Sequence, residues 1–134
     1  QVPLQDPARA QARRRRGGSG DRSQAVAVFL TSGNDGFVDV LPGIRRKALS
    51  YGAKTLMTEF RLLAGALLPL HDHPQEQTGY LVSGRLRLTI GDETHEVAPG
   101  GSWSIPGGVR HGAEVLEDAV AIEVFAPVRR DYLP

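Results

Sequence analysis

Apolar and polar residues alternate along much of this 134-residue chain. The clearest case is Arg85 to Ile90, where polar residues separate Leu86, Leu88 and Ile90. A period of two predicts an antiparallel strand with one buried and one exposed face, because successive strand side chains point to opposite sides of a sheet. Leu56 to Leu63 shows the same period and is rich in strand-forming residue types.

Shorter apolar runs, bounded by glycine and proline turns, fill the rest of the chain. They predict strands at Ala25 to Leu30, Phe37 to Leu41, Tyr80 to Val82, Thr94 to Val97, Ser102 to Ile105, His111 to Leu116 and Ala119 to Phe125. Ser83-Gly84 is expected to break the chain between two strands. Many short strands without a convincing helical period predict an all-β sandwich or barrel.

Composition narrows the class of protein. The length suits one domain with a single core. Cysteine is absent, which excludes disulfides and thiolate catalysis and fits a reducing compartment. No apolar run approaches the roughly 18 residues that a membrane span needs, and no secretory signal is recognisable. We therefore expect a soluble, cytoplasmic protein without a membrane partner.

Charge is distributed unevenly along the chain. Residues 1–24 carry six arginines against two aspartates, whereas the remainder is mildly acidic and the total is +1. The basic segment has neither interleaved aromatic residues nor an amphipathic period, so we do not expect it to bind nucleic acid. We expect residues 1–24 to form a disordered Arg-rich extension and residues 25–134 to form a single domain.

Histidines supply the candidate chemistry. His71 and His73 are two residues apart, so on a strand both imidazoles point to one side. Imidazole is the commonest metal ligand in proteins, and two such side chains make half of a site. Gln77 has the parity of His73 and is a plausible further ligand, although Pro74 between them leaves its direction open. A second stretch, ending at His111, supplies a third histidine.

The first histidine stretch resembles motif 1 of the cupin superfamily, which places His-x-His and then a glutamate between two glycines. Gly65, His71, His73 and Gly84 fall on that pattern, and Gln77 stands where the family usually has glutamate. With a neutral amide in that place, a bound ion would keep its full charge and act as a stronger Lewis acid toward an anionic substrate. The 2-His-1-carboxylate set of iron oxygenases is absent.

The second stretch resembles cupin motif 2, with matches at Gly100, Pro106, Gly108 and His111. Together the two motifs imply a cupin double-stranded β-helix, a jelly-roll barrel with a metal in its interior. The implied ligands of one divalent transition metal ion are His71, His73, Gln77 and His111. This neutral set does not distinguish Ni, Zn, Fe, Mn and Cu.

A narrower resemblance covers roughly residues 37–134. The runs HPQEQTGYLVSG and VFAPVRRDYL, with Leu41 to Arg46, are similar to small cupins of the pectin-degradation KdgF type. That subfamily opens the ring of 4,5-unsaturated uronates to linear keto acids. Its acidic, phenylalanine and arginine catalytic positions fall on Glu123, Phe125 and Arg129. Alternation places Glu123 and Phe125 on one face, although an exposed Glu123 remains an open alternative.

The expected function is therefore a metal-dependent enzyme of sugar-acid catabolism with a small anionic substrate. Two alternatives stay open: a metal-dependent oxygenase on the same scaffold, and a non-catalytic cupin that binds a small ligand. Exposed edge strands and the cupin resemblance favour a homodimer. Trp103 and Tyr80 are expected either to line a ligand pocket or to fill the core or an interface. Glu76 is expected to be exposed or to support the ligands from outside, and His95 to lie at the surface.

Overall fold

The computed structural model describes residues 27–134, so the predicted extension over residues 1–24 lies outside the described residues. Residues 36–134 form one compact unit, and its strands are connected by short turns. They are β1 (Val38–Leu41), β2 (Ile44–Tyr51), β3 (Leu56–Leu62), β4 (Leu67–His71), β5 (Glu76–Ile90), β6 (Glu93–Val97), β7 (Ser102–Ile105) and β8 (His111–Ala126), followed by a short 3-10 turn at Arg130–Tyr132.

The strands pair antiparallel around two long central strands. The order is β1-β2-β3-β8-β5-β6, with β4 also paired to β8 and β7 to β5. The single strand β8 therefore pairs with three others, β3, β4 and β5, along its length. These pairings fold the sheet around a common interior. This arrangement confirms the predicted all-β jelly-roll barrel. The described residues contain no helix of the length and apolarity that a membrane crossing requires.

Three sequence-based predictions of strands need correction. The described part of the predicted first strand, residues 27–30, forms no strand, because a short apolar run does not by itself specify one. The predicted break at Ser83-Gly84 is instead a bulged region within one continuous strand, β5. β8 likewise runs without interruption through the two strands that were predicted there.

The bulged region of β5 reverses which residues face the interior. Before it Gln77 and Leu81 are buried, and after it Leu86 and Leu88 are buried, so the inward parity changes from odd to even. Gly84 makes this possible, since its φ is 85° and a Cβ there would overlap the carbonyl oxygen of Asp118 on β8. One strand therefore supplies both site residues and core residues to the same interior.

The core lies between the inner faces of β5, β8, β7 and β2. Leu81, Ile105, Ile44 and Phe125 are all at most 1 % exposed. On β3 the even-numbered residues face this core, and Leu56 and Thr58 are both fully buried. Trp103 completes the core and is also bonded to the site described below.

Gly79 is a position where the core has no room for an added side chain atom. It lies opposite Trp103 of β7, and a Cβ at this position would overlap the indole ring. We expect Gly79→Ala to lower the free energy of unfolding by about 1–3 kcal/mol, because the indole or the strand must move. Chemical denaturation measures this change. Gly33→Ala is the control, since a Cβ there meets nothing within 4 Å, and equal losses in the two variants would contradict the explanation.

Candidate metal centre

Strand pairing brings three histidines together at one end of the barrel. His71 ends β4 and lies opposite His111, the first residue of β8. His73 follows β4 by two residues. The ligand atoms of the three imidazoles all lie within 4.8 Å of one another, a separation that allows a single ion to contact all three.

Backbone carbonyls orient each imidazole in the same way. In every case Nδ1 lies within hydrogen-bonding distance of a carbonyl two residues away. The pairs are His71 with Pro69 (2.8 Å), His73 with Gln75 (3.0 Å) and His111 with Val109 (2.9 Å). A ring that donates its one proton from Nδ1 keeps a lone pair on Nε2. Such outer hydrogen bonds are the usual means of fixing the tautomer of metal-binding histidines.

The chemistry of these nitrogens fits a cation. Nε2 of His111 is buried and has no hydrogen-bond partner among the described residues. Burial lowers the pKa of both His73 and His111, and the positive charge of Arg129 lowers each further, so both rings favour the neutral form. A buried lone pair without a partner is costly, and a divalent metal would satisfy it. The three-histidine group therefore fits a divalent metal ion.

Gln77 lies directly beside this group. Its Oε1 is 2.9 Å from Nε2 of His73, and its Nε2 donates to Oε2 of Glu123 at 2.7 Å. The structure thus settles the direction that Pro74 left open, because Gln77 is buried and turned toward the histidines.

Glu123 is buried, so the alternative of an exposed carboxylate is wrong. Only 7 % of the residue is exposed, and its two oxygens accept hydrogen bonds from Gln77 and from Nε1 of Trp103, the latter at 3.1 Å. Desolvation raises the pKa of Glu123 to about 7, although these two hydrogen bonds oppose the rise. Gln77, Trp103, His111 and Glu123 line a small interior cavity of about 50 Å³ whose other walls are apolar.

Phe125 and Arg129 lie on the side of the cluster occupied by His73. The Phe125 ring packs edge-on against His73, with centroids 5.6 Å apart, and the Arg129 guanidinium lies 5.4 Å from the phenyl centroid. Arg129 donates to the hydroxyl of Tyr132 at 2.7 Å and pairs with Asp131 at 2.9 Å. A cationic group is therefore held at a defined place near the histidines.

Sequence reasoning assigned no role to Tyr132 or Arg46. The guanidinium carbons of Arg46 and Arg129 lie 3.6 and 3.8 Å from the centroid of the Tyr132 ring, which is close enough for cation-π attraction to both. This contact joins β2 to the segment after β8. In the sequence, Arg46 belongs to an arginine pair early in the domain and Tyr132 to a late Arg-Asp-Tyr run. Neither pattern indicates that Arg46 and Tyr132 are in contact.

Three other residues lie away from the cluster. Glu76 and His95 are exposed, as expected. Tyr80 is 49 % exposed on the outer face of β5, so the structure removes it as a lining residue of the interior. Trp103 fills the core and also bonds to Glu123, which combines the two roles considered for it.

Comparison with known proteins identifies the family. Residues 58–126, just over half of the chain, match the cupin domain. The chain belongs to the cupin family. This assignment accounts for the barrel and for the histidine group at one end of it, and it confirms the resemblance carried by the two motifs.

Two individual proteins are similar to this chain in sequence. An uncharacterized protein of Streptomyces coelicolor is 34% identical over 95 residues, which cover 70% of this chain and 83% of the relative. Oxalate decarboxylase OxdC of Bacillus subtilis is 35% identical over 63 residues, 43% of this chain but only 16% of that protein.

Solved structures agree with the fold. KdgF from Halomonas sp. is 32% identical, superposes with a TM-score of 0.70 and matches 72% of this chain and 92% of its own. An RmlC-like cupin from Shewanella frigidimarina is 24% identical with a TM-score of 0.76, covering 82% of this chain and 99% of its own, which supports the fold alone.

Proposed function

We propose that this cupin is a metal-dependent enzyme that opens the ring of 4,5-unsaturated uronates to linear keto acids. The observation that carries the proposal is the position of Arg129, a cation held beside the three-histidine group. Uronates are carboxylates, and a planar guanidinium suits a carboxylate better than an ammonium does. The likeness to KdgF supports the same substrate class.

The metal would be held by Nε2 of His71, His73 and His111 and by Oε1 of Gln77. When bound, a divalent ion supplies Lewis-acid stabilisation of negative charge that develops on substrate oxygens. The identity of the metal is left open, since three imidazoles and an amide accept several divalent ions.

Arg129 binds the uronate carboxylate and so orients the ring over the histidines. Tyr132 and Asp131 hold the guanidinium, and the substrate carboxylate competes with the exposed carboxylate of Asp131 for it. Phe125 is 1 % exposed and lies beneath His73 and Tyr132. Its part is to form the apolar floor that keeps these groups in place.

Glu123 is the proposed acid/base. Among the described residues it is the buried carboxylate, and it lies one hydrogen bond from Gln77. In the reaction, C4 of the uronate gains a proton and the oxygen of water adds at C5. Cleavage of the bond between C5 and the ring oxygen then gives a ketone, and loss of water at C1 gives an aldehyde. Glu123 moves protons between hydroxyl and carbon in these steps.

The direct test uses an unsaturated uronate made by a pectin or alginate lyase. Metal-loaded protein should accelerate the loss of absorbance from the conjugated double bond relative to buffer with the same metal. If none of nickel, zinc, iron, manganese or copper gives acceleration, the ring-opening function is wrong. Oxygen consumption by the iron-loaded protein would then identify an oxygenase.

Arg129→Ala should raise KM for the uronate about 10- to 100-fold, because a charge-assisted hydrogen bond is lost from a partly buried site. Arg130→Ala is the matched control, since its side chain is exposed one residue further along. Initial rates at varied uronate concentration measure both. An equal KM in the two variants would assign the carboxylate to another cation.

The homodimer is also a proposal. The outer faces of β3, β8 and β5 carry several apolar side chains, among which Met57 lies opposite Val124 and Tyr80 lies opposite Ile122. Met57 and Tyr80, in the strands on either side of β8, are 42 % and 49 % exposed, which is unusual for large apolar side chains so near each other on one sheet face. A second copy covering this surface should give twice the chain mass in light scattering, and Tyr80→Glu should reduce it to one.

A further inference from the structure

The hydrogen bonds around Gln77 are directional. The amide nitrogen faces Glu123, because both oxygens of the ionised carboxylate act as acceptors, one for Gln77 and one for Trp103. The amide oxygen must then face Nε2 of His73, whose own proton is used at Nδ1. In the tautomer that keeps the His73 proton on Nδ1, two lone pairs therefore face each other at 2.9 Å, which is repulsive unless a cation lies between or beside them.

We propose that Glu123, held in turn by Trp103, is a positioning residue that makes residue 77 present oxygen rather than nitrogen to the three imidazoles. The inference rests on the proposed ligand role of Gln77 but not on any substrate. Without the carboxylate the amide is free to rotate by half a turn and to donate to His73. That rotated state would block the ligand position, since an amide NH₂ does not bind a cation.

The same contact accounts for glutamine at this position. A glutamate at 77 would bring a second carboxylate to 2.7 Å from the first within a buried site. Two carboxylates at that distance cannot both remain ionised. The identities of residues 77 and 123 therefore depend on each other: one is expected to be a carboxylate and the other an amide.

Exchanging the pair should preserve every hydrogen bond. In the double variant Gln77→Glu with Glu123→Gln, the amide at 123 accepts from Trp103 through its oxygen and donates to the carboxylate at 77. The second oxygen of that carboxylate faces His73. Each donor again meets an acceptor, and the residue beside the histidines still presents oxygen.

The experiment is a titration of apoprotein with Co²⁺, followed by its visible absorption, on wild type, both single variants and the double variant. Glu123→Gln should weaken Co²⁺ binding about 10- to 100-fold when residue 77 is glutamine, the range found when outer partners of metal ligands are removed. The same change should strengthen binding when residue 77 is glutamate. Glu117→Gln, an exposed change on the same strand, should leave the affinity unchanged.

The proposal predicts that Glu123→Gln weakens Co²⁺ binding when residue 77 is glutamine and strengthens it when residue 77 is glutamate. A merely structural role of Glu123 would not produce effects of opposite sign. The proposal is overturned if Glu123→Gln has the same effect in both, or if Gln77→Glu leaves the Co²⁺ spectrum unaltered. Thermal unfolding of the apoproteins checks the fold. If Gln77→Glu alone does not fold, the double variant must still bind Co²⁺ at least as tightly as Glu123→Gln, and weaker binding overturns the proposal. Because the readout is metal binding, these outcomes are independent of activity on uronates.

Discussion

Replacing His73 with alanine should weaken the binding of a divalent metal by more than about 100-fold. Removing a residue that only hydrogen-bonds to a metal ligand already lowers metal affinity about 10- to 100-fold, and His73→Ala would remove a ligand itself. Its Nε2 is also the atom that faces Gln77, so the change removes one ligand and the neighbour of another. Calorimetric titration of the apoprotein with Zn²⁺ measures the affinity.

His95→Ala is the matched control for this prediction. His95 is exposed on β6 and takes no part in the histidine group, so its replacement should leave Zn²⁺ affinity unchanged. Thermal unfolding of apo His73→Ala separates loss of the site from loss of the fold, since the ring also packs against Phe125. Comparable Zn²⁺ affinity in the two histidine variants would show that the ion binds elsewhere.

Replacing Glu123 with glutamine should lower kcat for an unsaturated uronate by about 100- to 10,000-fold when the metal is saturating. This is the range that a positioned general acid or base contributes, and glutamine keeps the shape of the side chain but carries no proton to transfer. Saturating metal is necessary because the same variant is expected to bind the ion more weakly. Initial rates at several metal concentrations separate the two effects.

Full turnover of Glu123→Gln at saturating metal would remove Glu123 from proton transfer and leave it only the positioning of Gln77. Glu117→Gln provides the comparison, because it deletes an exposed carboxylate from the same strand. Its rate should match that of wild type. If kcat fell equally in both variants, the cause would be disturbance of β8 as a whole rather than loss of an acid/base.

Local pattern was sufficient for several elements. The alternation in Leu86, Leu88 and Ile90 predicted an inner face that the structure confirms. The same reasoning placed Glu123 and Phe125 on one face of their strand, and both are buried. These predictions succeeded because strand side chains alternate wherever pairing is regular, whatever the rest of the chain does.

Pattern failed where pairing is irregular. The bulged region around Gly84 keeps β5 continuous but changes which residues face the interior. In the sequence alone, a glycine at such a bulge cannot be told from a glycine that ends a strand. The apolar type of Tyr80 likewise did not reveal that it lies on the outer face. Such features depend on the register with β8, which is formed by residues distant along the chain.

The sequence by itself determined the barrel and the histidines that meet in it, because both follow from local periodicity and from motif spacing that matches the family. Only the tertiary structure decided the direction of Gln77, the burial of Glu123 and the meeting of Arg46 with Tyr132. Gln77 and Glu123 are 46 residues apart, yet one hydrogen bond joins them. The orientation of a side chain amide depends on which partners surround it, and here those partners come from strands that pair only when the whole domain folds.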